Sequence, residues 1–457
     1  MTKQKIFLIG FILSVLSIIA WYIVGCPLAE KCPFVRFEKE EAPKVILTFV
    51  GPTDNASDWN AIFSKFNAYK KRPENGFLDV IIKYERVCNP ICDQDDYEDM
   101  VRERQYEDEG PNIFMAYSSW IPRHKDKLLP APKGMMNLAE FENTFAQVTK
   151  NDLTDEKGNI YALPFYVDTL ALYYDNDAFL NENLIKPPIN WDEFEEYVEK
   201  LTIVDEDGNF IRAGAAFGGG SNINRGQDIL MLLIMQNNIS SKTVGNLVSF
   251  NNKGSPAAIN FYTDFTNPKK RFYTWNENQM YSIDAFTQKK AAMMINYSHH
   301  IDNVIEKTSN NLNFKIAPIP QLDRNSKVNY ASYWVPVVPK KAPCGKEAKT
   351  NANCYSLAWE FLDFAAKKQN AKLYLDSTKK PAANLELAKE QFTDFNDQRS
   401  VFAGQVFTAK SWEHPDSSLS DKILVKMIDS IITTNQEFKK SIFEAMAVAA
   451  RYVDSLN

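Results

Sequence analysis

The residues best suited to chemistry in this 457-residue chain are aromatic and polar side chains between Ile160 and Leu180, IYALPFYVDTLALYYDNDAFL. A strand buried on both faces is usually aliphatic, whereas this stretch combines tyrosine hydroxyls with the carboxylate of Asp168. An aromatic ring with a polar group offers a flat apolar face, and a fixed carboxylate accepts hydrogen bonds from hydroxyls. The stretch therefore indicates either a packed core or part of a ligand-binding surface.

Side chains suited to catalysis or metal binding are few. No Ser–His–Asp or zinc motif includes any of the four histidines, which are His124, His299, His300 and His414. The glycine run Gly218-Gly219-Gly220 lacks the Gly-Lys-Ser/Thr ending of a phosphate loop. We therefore predict that the chain is not an enzyme and needs no cofactor or metal ion. A surface-anchored glycan hydrolase or lyase is the alternative, because carboxylate pairs are abundant.

The overall composition is that of a globular protein, with 45% hydrophobic and 24% charged residues. The length exceeds the size at which one hydrophobic core stops growing, so two or three folded units are expected. The net charge of −6 is small for this length and gives no electrostatic reason to expect a nucleic-acid partner.

The first 25 residues differ from the rest. Lys3 and Lys5 precede Ile6–Gly25, which carries no charge and is long enough to cross a bilayer as a helix. The lysines place that end in the cytoplasm and the rest of the chain outside. Because Ile23-Val24-Gly25-Cys26 resembles a lipoprotein processing site, residues 1–25 are predicted to be either an uncleaved anchor or a cleaved segment that leaves a lipid on Cys26. Residues 26–43 then form a linker to the outer face of the cell membrane.

An even number of cysteines in an oxidising compartment favours disulfides. Cys88 and Cys92 flank Asn-Pro-Ile, and Cys344 and Cys354 bracket a polar loop. We predict disulfides at these four residues and leave their connectivity open.

Strand and helix patterns alternate from residue 44 onward. Val45–Val50, Leu78–Tyr84 and Asn112–Tyr117 are predicted strands. Between the first two strands, one helix face collects Trp59, Ile62, Phe63 and Phe66. This order indicates a parallel α/β sheet.

Several sequence blocks, in order and spread over most of Val45–Asn457, resemble the family 1 extracellular solute-binding proteins, the maltose-binding-like components of ABC importers. The blocks are Ile160–Phe179 with Asn190-Trp191-Asp192-Glu193-Phe194, Ala285-Phe286 with Lys290-Ala291-Ala292-Met293 and Phe314–Pro320, and Ser332–Lys340 with Trp359-Glu360-Phe361. Two departures weaken the transfer of a specific sugar site: the usual Gly-Lys is Lys289-Lys290, and the usual Gly-Ser-Trp is Tyr297-Ser298-His299.

The resemblance implies an α/β, two-lobed fold like that of the periplasmic binding proteins, with a ligand cleft between the lobes. Residues 44–168 and 339–395 would form lobe 1, and residues 169–338 and 396–457 would form lobe 2. Hinge closure would trap the ligand. The stretch at Ile160–Leu180 would then cross between the lobes beside the cleft.

The candidate ligand contacts combine this resemblance with local position. The resemblance points to Trp59, Tyr166, Asp168, Tyr297 and Trp334, although Trp59 also fits the helix stripe and Asp168 also fits a structural hydrogen bond. Trp120 follows the third strand, and parallel sheets bind ligands at the carboxyl ends of their strands. Tyr173 and Tyr174 alternate, so only one faces the cleft; Tyr174 is the candidate. Asn222 and Arg225 follow the glycine run and offer hydrogen-bond donors.

The predicted function is that of a monomeric, membrane-tethered receptor that delivers a small solute, a sugar or oligosaccharide, to ABC permease subunits. A sensor or adhesin that reuses the same binding fold is a further alternative.

Overall fold

The computed structural model describes residues 14–17, 41–87, 94–106, 110–237, 254–341, 353–412, 417–434 and 442–454. The chain divides into two compact units, Met1–Pro43 and Lys44–Asn457. In the first unit the structure describes a helical turn at 14–17 and the residues 41–43. None of the helices in the described ranges is long and apolar enough to cross a membrane. Most of the predicted membrane segment, together with Cys26, lies outside those ranges.

In chain order the strands are β1 (Lys44–Gly51), β2 (Asp79–Arg86), β3 (Ile113–Tyr117), β4 (Asp168–Thr169), β5 (Ala171–Asp175), β6 (Ile203–Val204), β7 (Phe210–Arg212), β8 (Met293–Asn296), β9 (Phe314–Ala317), β10 (Asn329–Ser332), β11 (Trp334–Val337) and β12 (Ala409–Lys410). The helices are α1 (Ala56–Lys70), α2 (Gln94–Tyr106), α3 (Ile121–His124), α4 (Leu138–Thr144), α5 (Gln147–Leu153), α6 (Asn176–Asn181), α7 (Trp191–Leu201), α8 (Gly226–Gln236), α9 (Gly254–Asp264), α10 (Ser282–Thr287), α11 (Ile301–Thr308), α12 (Cys354–Ala366), α13 (Lys368–Thr378), α14 (Leu385–Phe392), α15 (Ser400–Gln405), α16 (Ser417–Thr434) and α17 (Ile442–Asp454).

The first lobe is built on a four-stranded sheet of order β11-β3-β1-β2. β1 runs parallel to β2 and β3, as the strand and helix pattern predicts, and β11 runs antiparallel to β3. The stripe on α1 is buried against this sheet as predicted, because its apolar residues repeat at helical spacing. Its N-terminus is closed by a capping box in which the Asn55 N–H donates to the Asp58 carboxylate.

The second lobe is built on an antiparallel three-stranded sheet of order β8-β5-β9. Helix α7 buries Trp191, Phe194, Val198 and Leu201 against this core, and every residue of α8 is buried. Helices α16 and α17 contribute buried aliphatic residues to the same core. The lobe therefore surrounds α8 with apolar side chains, and this accounts for the unbroken apolar run Ile229–Met235.

The chain passes between the lobes through a small sheet of order β12-β10-β4. Along this part of the chain, Val167 is the last residue in the first core and Leu170 is the first in the second core. β4, which lies between them, is therefore a crossover. On the return path, Tyr330 lies in the second core and Ala331 in the first. Two crossovers therefore lie side by side as the antiparallel pair β4 and β10.

One predicted lobe boundary needs correction. The sequence analysis assigned residues 169–338 to lobe 2, but β11 pairs with β3 of the first sheet. Tyr333, Val335 and Val337 accordingly lie in the first core. The error arose because a short apolar run carries no signal for which of two sheets it joins. Val406 and Ala409, also assigned to lobe 2, pack in the first core as well.

The structure describes Cys354, which is disulfide-bonded. Its partner lies outside the described residues, as does Cys344, so the connectivity stays open. The same holds for Cys88 and Cys92, which also lie outside the described ranges.

Substitution of Trp59 tests whether its side chain packs in the first core. The side chain is fully buried, and its ring centroid lies 4.9 Å from that of Phe49 and 4.4 Å from that of Tyr374. We expect Trp59→Ala to lower the free energy of unfolding by about 3–5 kcal/mol, because truncating a buried tryptophan leaves a cavity. Chemical denaturation measures this change. Ile185→Ala, at a side chain 89% exposed, is the control and should alter stability by less than about 0.5 kcal/mol. A loss below about 1 kcal/mol for Trp59→Ala would contradict its core placement.

Candidate functional site

The candidate site lies where the carboxyl end of β3 meets the crossover pair. Ser332 of β10 is paired in register with Asp168 of β4. The Tyr117 hydroxyl, at the last residue of β3, lies 2.6 Å from the Ser332 hydroxyl. The edge of the first sheet is thus joined directly to the segment that links the lobes. Open α/β sheets bind ligands at this kind of edge.

An aromatic group borders this junction. The Trp334 ring lies 5.3 Å, centroid to centroid, from both Tyr117 and Trp120, and 5.4 Å from Tyr97. Tyr97, Tyr117 and Trp120 are buried, whereas Trp334 is half-buried. The group therefore holds Trp334 in place and leaves part of its indole accessible to a ligand.

The second lobe contributes a partly buried cluster of charges. The Arg225 guanidinium donates two hydrogen bonds to the Asp228 carboxylate, from Nε at 2.7 Å and from Nη2 at 2.9 Å. Its Nη2 also lies 3.2 Å from Asp421 Oδ2. The Tyr297 hydroxyl donates to Asp228 Oδ2 at 2.6 Å. One guanidinium thus serves two carboxylates.

The charges of this cluster act on a tyrosine of the first lobe. Burial raises the pKa of the Tyr117 hydroxyl, and the charges of Arg225, Asp228 and Asp421 act on the same hydroxyl. Tyr117 belongs to the first lobe and the three charged residues belong to the second. The charge cluster of the second lobe therefore lies within electrostatic range of Tyr117 in the aromatic group.

Burial raises the pKa of the Asp421 carboxyl to about 7, because the low-dielectric surroundings disfavour its charged form. The nearby Arg225 guanidinium opposes this rise, and the second carboxylate, Asp228, adds to it. Asp421 is therefore largely ionised only above pH 7. Its side chain remains 14% exposed, whereas that of Asp228 is 1% exposed.

The glycine run positions Arg225. A Cβ on Gly219 would lie 2.5 Å from Asn222 Oδ1, and one on Gly220 would lie 2.3 Å from Asp429 Oδ1 of α16. Glycine therefore allows the loop to approach α16 closely. Arg225 follows at the N-cap of α8 with a left-handed backbone, φ +57°. This strained conformation and the close approach of the loop bring the Arg225 guanidinium, at the start of α8, to the Asp421 carboxylate of α16.

Asp168 lies at the junction but its carboxylate is already engaged. It is 3% exposed and accepts from the backbone N–H of Thr169 at 2.9 Å and of Ser298 at 3.0 Å. It also accepts from the Ser298 hydroxyl at 2.8 Å, and His299 Nδ1 lies 3.2 Å away. These bonds tie the crossover to the turn that precedes α11, as expected for the structural hydrogen bond that was the alternative to a ligand contact.

Tyr166 connects two parts of the first lobe. Its hydroxyl accepts from the backbone N–H of Trp334 at 3.2 Å. The Lys380 ammonium lies 4.3 Å from the centre of its ring and 2.6 Å from Asp54 Oδ1. Burial raises the pKa of Tyr166 to about 12, partly offset by the Lys380 charge. Tyr166 thus supports Trp334 from a buried position.

The remaining candidates lie in packed or bonded surroundings. Trp59 and Tyr174 lie in the first and second cores. Asn222 Nδ2 donates to the carbonyls of Asn276 and Gln279, and Asn222 Oδ1 accepts from the Trp275 indole. Among the candidates, the structure therefore brings Trp334, Trp120, Tyr166, Asp168, Tyr297 and Arg225 to the junction.

Sequence reasoning missed Tyr117, Ser332, Asp228, Asp421 and Lys380. Tyr117 could have been predicted from the sequence, because it ends the third predicted strand and the same argument selected Trp120. Asp228 could have been predicted as well, because it follows Arg225 by three residues at a helix start. Asp421 could not, since it is almost 200 residues distant in sequence.

Comparisons with known proteins agree with this architecture. Residues 81–397 match the family described as bacterial extracellular solute-binding protein, which confirms the resemblance seen in the sequence. A curated relative, the sn-glycerol-3-phosphate-binding periplasmic protein of Pectobacterium atrosepticum, is 26% identical over 239 residues. That alignment covers 50% of each chain, so this chain spans about half the length of that relative.

Solved structures show the same fold. A cyclic alpha-maltosyl-1,6-maltose binding protein of Arthrobacter globiformis aligns with TM-score 0.68 at 15% identity, covering 90% of this chain and 99% of the other. The maltose-binding periplasmic protein of Listeria monocytogenes, in complex with maltose, aligns with TM-score 0.65 at 17% identity, covering 90% and 97%. These likenesses establish the α/β two-lobed fold. Because the family match extends over more than half of the chain, the protein belongs to the bacterial extracellular solute-binding proteins.

Proposed function

We propose that this protein captures an uncharged sugar or oligosaccharide outside the cell and delivers it to the permease of an ABC importer. The observation that carries the proposal is the half-buried indole of Trp334, packed on Tyr117 of the first lobe, together with the Arg225–Asp421 pair of the second lobe, whose charges act on the Tyr117 hydroxyl. An aromatic face packs against the C–H surface of a sugar ring, and charged side chains form strong hydrogen bonds with its hydroxyls. The two groups supply both requirements from opposite lobes.

The solved structures of the same fold support a sugar as the solute. Proteins of the same fold are named for maltose and for a cyclic maltose derivative, and one binds alpha-D-tagatose. The family consists of binding proteins, in agreement with the prediction that the chain is not an enzyme.

Capture would use the crossover pair as a hinge. A solute that contacts both lobes binds the closed arrangement better than the open one, so its binding shifts the population toward closure. The Tyr117–Ser332 contact and the Asp168 bonds lie at this hinge, where small rotations reposition Trp334 relative to Arg225. The N-terminal segment, anchored as a helix or lipidated at Cys26, would hold the receptor beside its permease.

Thermal unfolding of the full-length chain, screened against mono- and oligosaccharides, polyols and peptides, tests the proposal. A true solute should raise the midpoint increasingly with concentration, because it binds only the folded state. If no sugar stabilises the protein while a peptide does, the sugar assignment fails.

Trp334→Ala tests the aromatic contact. We expect the affinity for the stabilising sugar to fall about 10-fold or more, the size of effect typical of a dominant aromatic contact. Isothermal titration calorimetry measures the affinity. Tyr69→Ala is the matched control, because Tyr69 is also partly exposed, at 39%, but packs on Phe66 and Phe364 on α1 and α12. Equal affinities for Trp334→Ala and Tyr69→Ala would remove Trp334 from the site.

Asp168→Ala separates a structural role from a binding role. The change leaves the buried donors of Thr169 and Ser298 without an acceptor, so we expect a loss of about 2–4 kcal/mol in the free energy of unfolding. Trp334→Ala, at a half-buried position, should cost less stability. Chemical denaturation of both variants gives the comparison. A stable Asp168→Ala variant that has lost sugar binding would instead make Asp168 a direct ligand contact.

A further inference from the structure

The Arg225–Asp421 pair has unused hydrogen-bonding groups. Two of the five guanidinium N–H groups of Arg225 are taken by Asp228, and a third points to Asp421. Within the described part of the chain, Arg225 Nη1 has no hydrogen-bond or ion-pair partner, although the side chain is 27% exposed. Two N–H donors of a fixed guanidinium therefore remain for a ligand.

Asp421 offers the complementary acceptor. Its Oδ2 takes both the Arg225 contact and a hydrogen bond of 3.1 Å from Gln227 Nε2. Its Oδ1 has no partner among the described residues, and the side chain is 14% exposed. A donor and an acceptor held side by side match a hydroxyl group, which accepts one hydrogen bond and donates another.

The charges of the cluster also argue against an anionic ligand. Asp228 is almost fully buried and is engaged by both Arg225 and Tyr297, so its carboxylate neutralises the guanidinium. Ionised Asp421 then leaves the group with a net negative charge. A phosphate that approached Arg225 Nη1 would lose most of the attraction of the guanidinium and would meet the Asp421 carboxylate. The curated relative is named for a phosphate-bearing solute, so charge selection is a point on which the two proteins can differ.

We propose that Asp421 is the residue that determines charge specificity in this cleft. Arg225 Nη1 donates to, and Asp421 Oδ1 accepts from, one hydroxyl or two neighbouring hydroxyls of an uncharged solute, and the Asp421 carboxylate excludes phosphate-bearing solutes. Asp228 and Tyr297 are positioning residues that hold the guanidinium. The inference rests on the proposed sugar-binding function.

The test uses the full-length chain in detergent solution at pH 8, where a carboxyl with a pKa of about 7 is ionised. Calorimetry compares two probes, the stabilising neutral sugar and sn-glycerol 3-phosphate, on wild type and on Asp421→Asn. We expect wild type to bind the sugar at least 10-fold more tightly than the phosphate. Asp421→Asn should bind the phosphate at least 10-fold more tightly than wild type does, because the cluster loses its net negative charge and no carboxylate then repels the phosphate beside Arg225 Nη1.

Asp207→Asn is the matched control, since it removes the same charge from an exposed turn of the same lobe. It should leave both affinities unchanged. A gain of phosphate affinity in both variants would reflect net charge and would overturn the assignment to Asp421. No gain in a folded Asp421→Asn variant would overturn it as well.

Arg225→Gln provides a second measurement if Asp421→Asn fails to fold. This variant should lose at least 10-fold in sugar affinity and should not bind the phosphate. Sugar affinity within 2-fold of wild type would overturn the proposal. Failure of wild type to bind any sugar would instead contradict the proposed function, whereas sugar binding without the charge effects would contradict only the role of Asp421.

Discussion

The antiparallel pairing of β4 with β10 is the constraint on which the rest of the site depends. Each strand is a crossover, so the pair fixes where both lobes begin relative to each other. The contact between Ser332 and Tyr117 fixes the end of β3 relative to this pair of strands. The hydrogen bond from Ser298 to Asp168 does the same for the turn that precedes α11. The aromatic group joins this short pair of strands through the Tyr117–Ser332 contact, and the charges of the cluster on α8 and α16 act on the same Tyr117 hydroxyl.

The charge cluster differs from a fully paired set of buried charges. Removing charges from water is unfavourable unless they are paired and hydrogen-bonded. Asp228 meets this requirement with bonds from Arg225 and Tyr297. Asp421 meets it incompletely: burial raises the pKa of its carboxyl, and the bonds from Arg225 and Gln227 offset that rise only in part. An incompletely satisfied carboxylate beside an incompletely satisfied guanidinium is a poor stabilising pair but a suitable partner for hydroxyl groups.

The aromatic residues of the chain serve two purposes that composition does not distinguish. Trp59 and Tyr173 are fully buried in the two cores, where large rings fill space between sheet and helices. Trp334 packs against similar rings, but part of its surface remains exposed. The difference lies in position: Trp334 begins a strand next to the crossover, whereas Trp59 lies on the inner face of α1.

The sequence by itself determined the fold class, the family and the buried stripe on α1, and it selected several residues that the structure brings to the candidate site, because periodicity, strand ends and ordered motifs are local signals. It selected Arg225 and Trp334 for the candidate site but did not reveal that β11 joins the first sheet, that Trp59 is buried in the first core, or that Asn222 is hydrogen-bonded within the second lobe. Only the tertiary structure decided the partners of Arg225. Asp421 lies on α16, which approaches the glycine run in space, and a contact between residues so distant along the chain depends on how α16 packs against α8 within the second lobe.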